Sequence, residues 1–179
     1  MRRTALLLGL ALIIGVGVAH AHYYQLHYTH FLKFSAPGVA TAKEVASATV
    51  RYGVLAMPPL HQPGMPWGMP FKPFWAGEKS MALERKGDHF FAKARIDVSE
   101  CDGGPQMGPV MVEYTLKFKD GSDLILREQS VKIETQANTS DYESYNRAMA
   151  EAGKAFNAAA DAKETSCSSV SFYTRNPGY

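Results

Sequence analysis

One helical stretch near the carboxyl end constrains the fold more than any other feature. Residues 140–165 read SDYESYNRAMAEAGKAFNAAADAKET, with Tyr142, Tyr145, Met149, Ala152, Phe156 and Ala159 recurring at gaps of three and four and Ala162 continuing the row. Such spacing draws one apolar stripe along an α-helix. Ser140 followed by Glu143 reads as a capping box at its start. Ser144, Arg147, Glu151, Lys154 and Asp161 fall off the stripe and can stay wet. Nearly every other periodic segment alternates with period two, which is the pattern of half-buried strands. A single striped helix requires a sheet to cover. The expected fold is therefore α+β: a mostly antiparallel sheet of about six or seven strands with one C-terminal amphipathic helix packed on it. A β-sandwich with an appended helix is the alternative.

The strands follow from the alternation. Tyr24, Leu26, Tyr28, Leu32 and Phe34 share one face, and Gln25, His27, Thr29 and Lys33 the other, before Pro37-Gly38 breaks the run. Ala48, Val50, Tyr52, Val54 and Ala56 line a second strand, with Ser47, Thr49 and Arg51 outward. Phe90 to Val98 and Val110 to Phe118 give two more, and Asp120-Gly121 marks a hairpin turn. The return strand has Leu124 and Leu126 on one parity and Val131 and Ile133 on the other, which predicts a bulge near Glu128.

The N-terminus carries an address. Arg2 and Arg3 precede the uncharged apolar run Ala5–Ala19, and Ala19-His20-Ala21 has the form that signal peptidase accepts. Residues 1–21 are expected to be a signal peptide, with an uncleaved N-terminal anchor as the alternative, and 22–179 a single periplasmic or secreted domain. Without residues 1–21, basic and acidic residues balance at 17 each. A neutral surface lacks the field that holds polyphosphate, which argues against nucleic acid as a partner. In an oxidising compartment, Cys101 and Cys167 are expected to form a disulfide.

Residues 57–75, MPPLHQPGMPWGMPFKPFW, hold six of the ten prolines and both tryptophans, so they can form neither helix nor central strand. They read as a long loop or a stiff extended arm whose aromatics suit recognition. Pro66, Trp67, Phe71, Phe74 and Trp75 are the candidate partner contacts. The same stretch spaces Met57, His61, Met65 and Met69 at every fourth position. Thioether and imidazole are soft ligands that suit Cu(I), and in ligand type the loop resembles methionine-rich copper-handling proteins of the bacterial periplasm. If cleavage exposes His22, its amine and imidazole form a chelate, with His27 and His30 close behind. The string Ala19-His20-Ala21-His22 resembles the start of CopC-like copper-binding domains, although the late helix departs from them. By strand parity, His22 and His30 share the apolar side and His27 faces away.

The hydrolase elbow, zincin, P-loop and dinucleotide fingerprints do not occur in the chain. The leading expectation is a non-enzymatic periplasmic or secreted accessory protein, without a cofactor, that presents the Pro/Met/aromatic arm to a protein partner or membrane complex. A periplasmic copper-binding protein is the first alternative. A membrane-anchored accessory subunit of a larger complex is the second.

Overall fold

The first strand, β1 (Tyr24–Pro37), has something to cover on both faces, and this decides the architecture. Its even-numbered side chains Leu32, Phe34 and Ala36 belong to the main apolar core, while odd-numbered Thr29, Phe31 and Lys33 are buried as well. A strand buried on both sides needs a layer above and a layer below. The computed structural model describes residues 24–58, 72–128, 131–159 and 162–175 and supplies both layers.

After β1 come β2 (Val39–Ala40), β3 (Lys43–Met57), β4 (Phe74–Ala82), β5 (Glu84–Lys86) and β6 (His89–Cys101). β7 (Gln106–Phe118), β8 (Asp123–Glu128), β9 (Lys132–Thr139), the helix α1 (Tyr142–Ala158) and β10 (Ser166–Arg175) complete the order. One sheet runs β5-β6-β1-β10-β9. The other runs β2-β3-β7-β8, with β4 also paired to β3. Leu32, Phe34, Ile96 and Val98 from the first meet Val50, Tyr52, Val112 and Leu116 from the second in one core. The Phe34 and Tyr52 rings lie 4.8 Å apart across it. At Gly77, φ is +62°, and a Cβ there would come within 2.9 Å of Ile96 Cγ2, so β4 approaches β6 where only hydrogen fits.

The described chain is thus mostly β with one helix, as the alternation implies, but the single sheet of six or seven strands is corrected to two sheets of five. The return strand explains the difference. The parity switch near Glu128 is not a bulge within one strand: β8 pairs with β7 in one sheet and β9 with β10 in the other. The chain changes layers there, so the faces change sides with it.

α1 covers the outer face of the first sheet. β9 and β10 are parallel neighbours, and a parallel pair needs a crossover connection, which α1 provides. Tyr145, Ala148, Met149 and Ala152 pack on Val170, Phe172 and Ala137, while Phe156 meets Phe31 at 5.6 Å between centroids. The expected stripe is the packed face. The cap is shifted by one residue: Asp141, not Ser140, accepts from the Ser144 N–H at 2.8 Å. The last turn holds no basic residue, and the cation comes from β6 instead. Lys93 Nζ donates to the carbonyls of Phe156 and Ala159 at 3.4 and 3.2 Å.

Candidate functional site: the arm-bearing end

β3 and β4 are antiparallel neighbours whose pairing runs to Ala56 opposite Phe74. The chain leaves this pair after Met57 and rejoins it at Phe74, so residues 58–73 form the connection between adjacent strands. Hairpins of this kind are ordinarily closed by two to five residues. Met57 is 45% exposed and Phe74 46%, which leaves two large apolar side chains standing at the roots of the arm. Trp75 is half-buried beneath the Arg51 guanidinium, 4.6 Å from its ring centre. Arg51 in turn donates to both Glu78 carboxylate oxygens at 2.7 and 3.0 Å, which fixes the plane of the stack.

The same end gathers groups that the sequence does not mark. Ala56 pairs with Met107, whose backbone N–H donates to Glu100 Oε2 at 2.9 Å. The Tyr24 hydroxyl donates to Glu100 Oε1 at 3.5 Å, and the Tyr24 ring stacks on Tyr173 at 5.8 Å. Tyr28 faces the same carboxylate: burial, then the Glu100 charge, pushes its phenol up to about 12. The end of β3 from which the chain leaves for the arm therefore lies beside tyrosines gathered around one carboxylate. Tyr24 and Tyr28 enter the sequence reading only as apolar members of a strand face, because alternation reports burial and not what a hydroxyl bonds to. Glu100, in a loop-like run, carries no periodic signal.

Of the candidate partner contacts, Phe74 and Trp75 are placed at the root as described. Pro66, Trp67 and Phe71 lie outside the described residues, as do the candidate ligands His22, His61, Met65 and Met69. Met57 sits at the mouth of the arm. His27 and His30 point to opposite faces of β1, as parity requires. The His27 ring stacks on Phe172 on the helix side at 5.9 Å, whereas His30 is buried between the sheets with Nδ1 2.7 Å from Ser169 Oγ. Burial lowers the His30 pKa, against a smaller opposing pull from Asp97. The two imidazoles do not converge. Among the described residues, no three His, Cys, Asp or Glu side chains form a metal-holding group.

The expected disulfide is corrected. Both cysteines are free. Cys101 pairs with Gln25 on one side of β1, and Cys167 with Leu32 on the other. Seven positions along a strand is about 23 Å, far beyond the Cα separation of about 7 Å that a disulfide can span.

On the helix side, the Ser99 hydroxyl is 3.0 Å from His27 Nδ1. The neighbouring Asp97 directs its carboxylate to Arg95, through bonds of 2.8 to 3.0 Å, and to the Thr29 hydroxyl at 2.7 Å. It is thus held by structural partners rather than orienting the imidazole as a catalytic acid does. Among the described residues, no helix is long and apolar enough to cross a membrane.

Comparison with known proteins yields no family: no family model matches the chain, and no curated protein or solved structure matches it.

Proposed function

We propose that this is a non-enzymatic accessory protein of the periplasm or the secreted space, which holds out residues 57–75 for a protein partner or membrane complex. One observation carries the reading. A connection that adjacent antiparallel strands close in a few residues is here drawn out over 58–73, with Met57 and Phe74 exposed at its roots. Proline-rich segments bind at low ordering cost because they are already stiff, and aromatic and thioether side chains supply anchor area. The Arg51–Trp75–Glu78 stack gives the arm a rigid foot.

The test compares the native chain with one whose residues 59–71 are replaced by a short turn. Site-specific crosslinking from position 57 should capture a discrete partner from the native envelope. The shortened chain should lose that partner while keeping its thermal unfolding transition. Capture that survives the replacement overturns the proposal. N-terminal sequencing of the native protein assigns the address, with His22 supporting the secreted form and Met1 a retained anchor.

The second reading, copper binding by Met57, His61, Met65 and Met69, is favoured by the exposed Met57 thioether at the root of the arm. Cu(I) titration separates the two readings. Affinity no higher than that of a Met-to-Leu, His-to-Ala variant removes copper from the arm.

A further inference from the structure

We propose that His30, Cys167 and Ser169 form a buried site for one monovalent thiophilic cation, of which Cu(I) is the biological representative. The site is separate from the arm and does not depend on the function proposed for it. The β1–β10 register sets His30 opposite Ser169 and Leu32 opposite Cys167, so imidazole, hydroxyl and thiol leave the sheet on its inner face. His30 Nδ1 is 2.7 Å from Ser169 Oγ and 3.8 Å from Cys167 Sγ, and Cys167 Sγ is 3.5 Å from Ser169 Oγ. A point equidistant from the three atoms lies about 2 Å from each, the range of metal–nitrogen and metal–oxygen bonds, and a slight displacement accommodates the longer bond to sulfur. All three residues are nearly inaccessible, at 8%, 1% and 7% exposure. The Tyr28 ring lies nearly parallel to the imidazole at 6.0 Å and closes one side.

The donor set selects the cation. Thiolate and imidazole are soft ligands. A thiolate, a neutral imidazole and a monovalent cation sum to zero charge. Zn(II) in the same place would leave a net positive charge in an apolar core, where an unpaired charge is costly. Binding is an exchange: the Cys167 sulfur–hydrogen bond breaks, a sulfur–metal bond forms, and one proton leaves to solvent. All three groups are buried, so only a cation that binds sulfur strongly enough to displace the thiol proton, and that replaces the His30–Ser169 hydrogen bond, is taken up.

The experiment uses the full chain carrying Met57→Leu, His61→Ala, Met65→Leu and Met69→Leu, so that the arm contributes nothing. Anaerobic titration with Cu(I) against a chelator should show one equivalent bound, with a thiolate-to-copper absorption in the near ultraviolet. Zn(II) should bind at least about 100-fold more weakly. Cys167→Ser should abolish the uptake and Cys101→Ser should leave it unchanged. A measurement on the unsubstituted chain serves if Cys167→Ser fails to fold. In mild denaturant, Cu(I) should slow maleimide labelling of Cys167 more than about tenfold relative to Cys101. Sub-stoichiometric uptake, uptake that persists in Cys167→Ser, or unprotected Cys167 labelling overturns the site.

Discussion

The hydroxyl of Tyr145, on the helix, meets that of Thr29, on the central strand, at 2.5 Å, with both residues buried. The direction of the bond follows from the neighbours. Thr29 has one proton and donates it to the Asp97 carboxylate at 2.7 Å, so Tyr145 donates to Thr29. The chain Tyr145–Thr29–Asp97 continues to Arg95, whose guanidinium also reaches Met149 at 3.3 Å. A polar relay thus fixes α1 in register over β1 beneath an otherwise apolar contact.

Removing either end of this bond has unequal consequences. Tyr145→Phe deletes a donor and leaves Thr29 still bonded to Asp97, so it should cost about 1 kcal/mol. Thr29→Val strands the Tyr145 hydroxyl and deprives Asp97 of a partner, and should cost about 2 kcal/mol. Urea unfolding of both variants and of the double variant checks this. The double should cost clearly less than the sum of the singles, because the two act through one bond.

The Lys93 contact predicts a charge effect at a distance in sequence. Lys93→Met keeps the aliphatic stem but removes the ammonium from the helix carbonyls, and should destabilise by about 1 kcal/mol. Hydrogen exchange should rise first in the last turn of α1. Lys93→Arg should restore most of the loss.

Two glycines with the same dihedral separate backbone strain from crowding. Gly77 and Gly87 both have φ of +62°, but an added Cβ meets Ile96 at 2.9 Å in the first and nothing within 4 Å in the second. Gly87→Ala should cost about 1 kcal/mol from the left-handed backbone alone. Gly77→Ala adds the overlap with Ile96 and Val98 and should cost about 2–3 kcal/mol. Paired thermal melts read the difference.

How far the sequence reports this structure depends on what each residue's signal encodes. The stripe from Tyr145 to Phe156 is legible because burial and helical period coincide. The inward rows on β3, β6 and β7 are legible for the same reason with period two. The layer count is not, because alternation gives each strand's faces but not which strands share a sheet. β8 and β9 look like one strand with a slip and are two strands in different sheets. Thr29 and Lys33 read as solvent-facing because they are polar, yet both are buried, Thr29 against Tyr145 and Met149 of α1, and only Phe31 in the same row hints at it. Cysteine pairing failed for a related reason: compartment sets a prior on disulfides, whereas register along β1 sets the distance. At the candidate site, proline density marks the break between β3 and β4, but it assigns Met57, Phe74 and Trp75 to the arm, whereas they end and begin those strands. The tyrosine–carboxylate cluster was not legible, because it is assembled from three strands far apart in sequence.

The His30 pKa gives stability a direction with pH. Its folded-state value lies below the ordinary 6.5, chiefly through burial. Above about pH 6.5 the imidazole is neutral in both folded and unfolded chains and the full stability is present. Below it the unfolded chain takes up the proton first, so stability falls until the folded-state pKa is passed. Urea midpoints should therefore decline as the pH falls below about 6.5, and His30→Phe should flatten that part of the profile.

Shortening the arm tests whether the sandwich and the arm are separable. The strands at its roots are joined by the Ala56–Phe74 register, and the Arg51–Trp75 stack lies on the same pair. Both lie outside the segment to be replaced. Reducing the connection about threefold, by replacing residues 59–71 with a tight turn, lowers the cost of closing it by about 1 kcal/mol, since each halving is worth about 0.6. The shortened chain should unfold at an equal or slightly higher urea midpoint with an unchanged slope. A fall of more than about 1 kcal/mol, or a changed slope, would mean that the arm packs on its own domain and contributes to its core. It would then not be presented to a partner, and the exposure of Met57 and Phe74 would need another explanation.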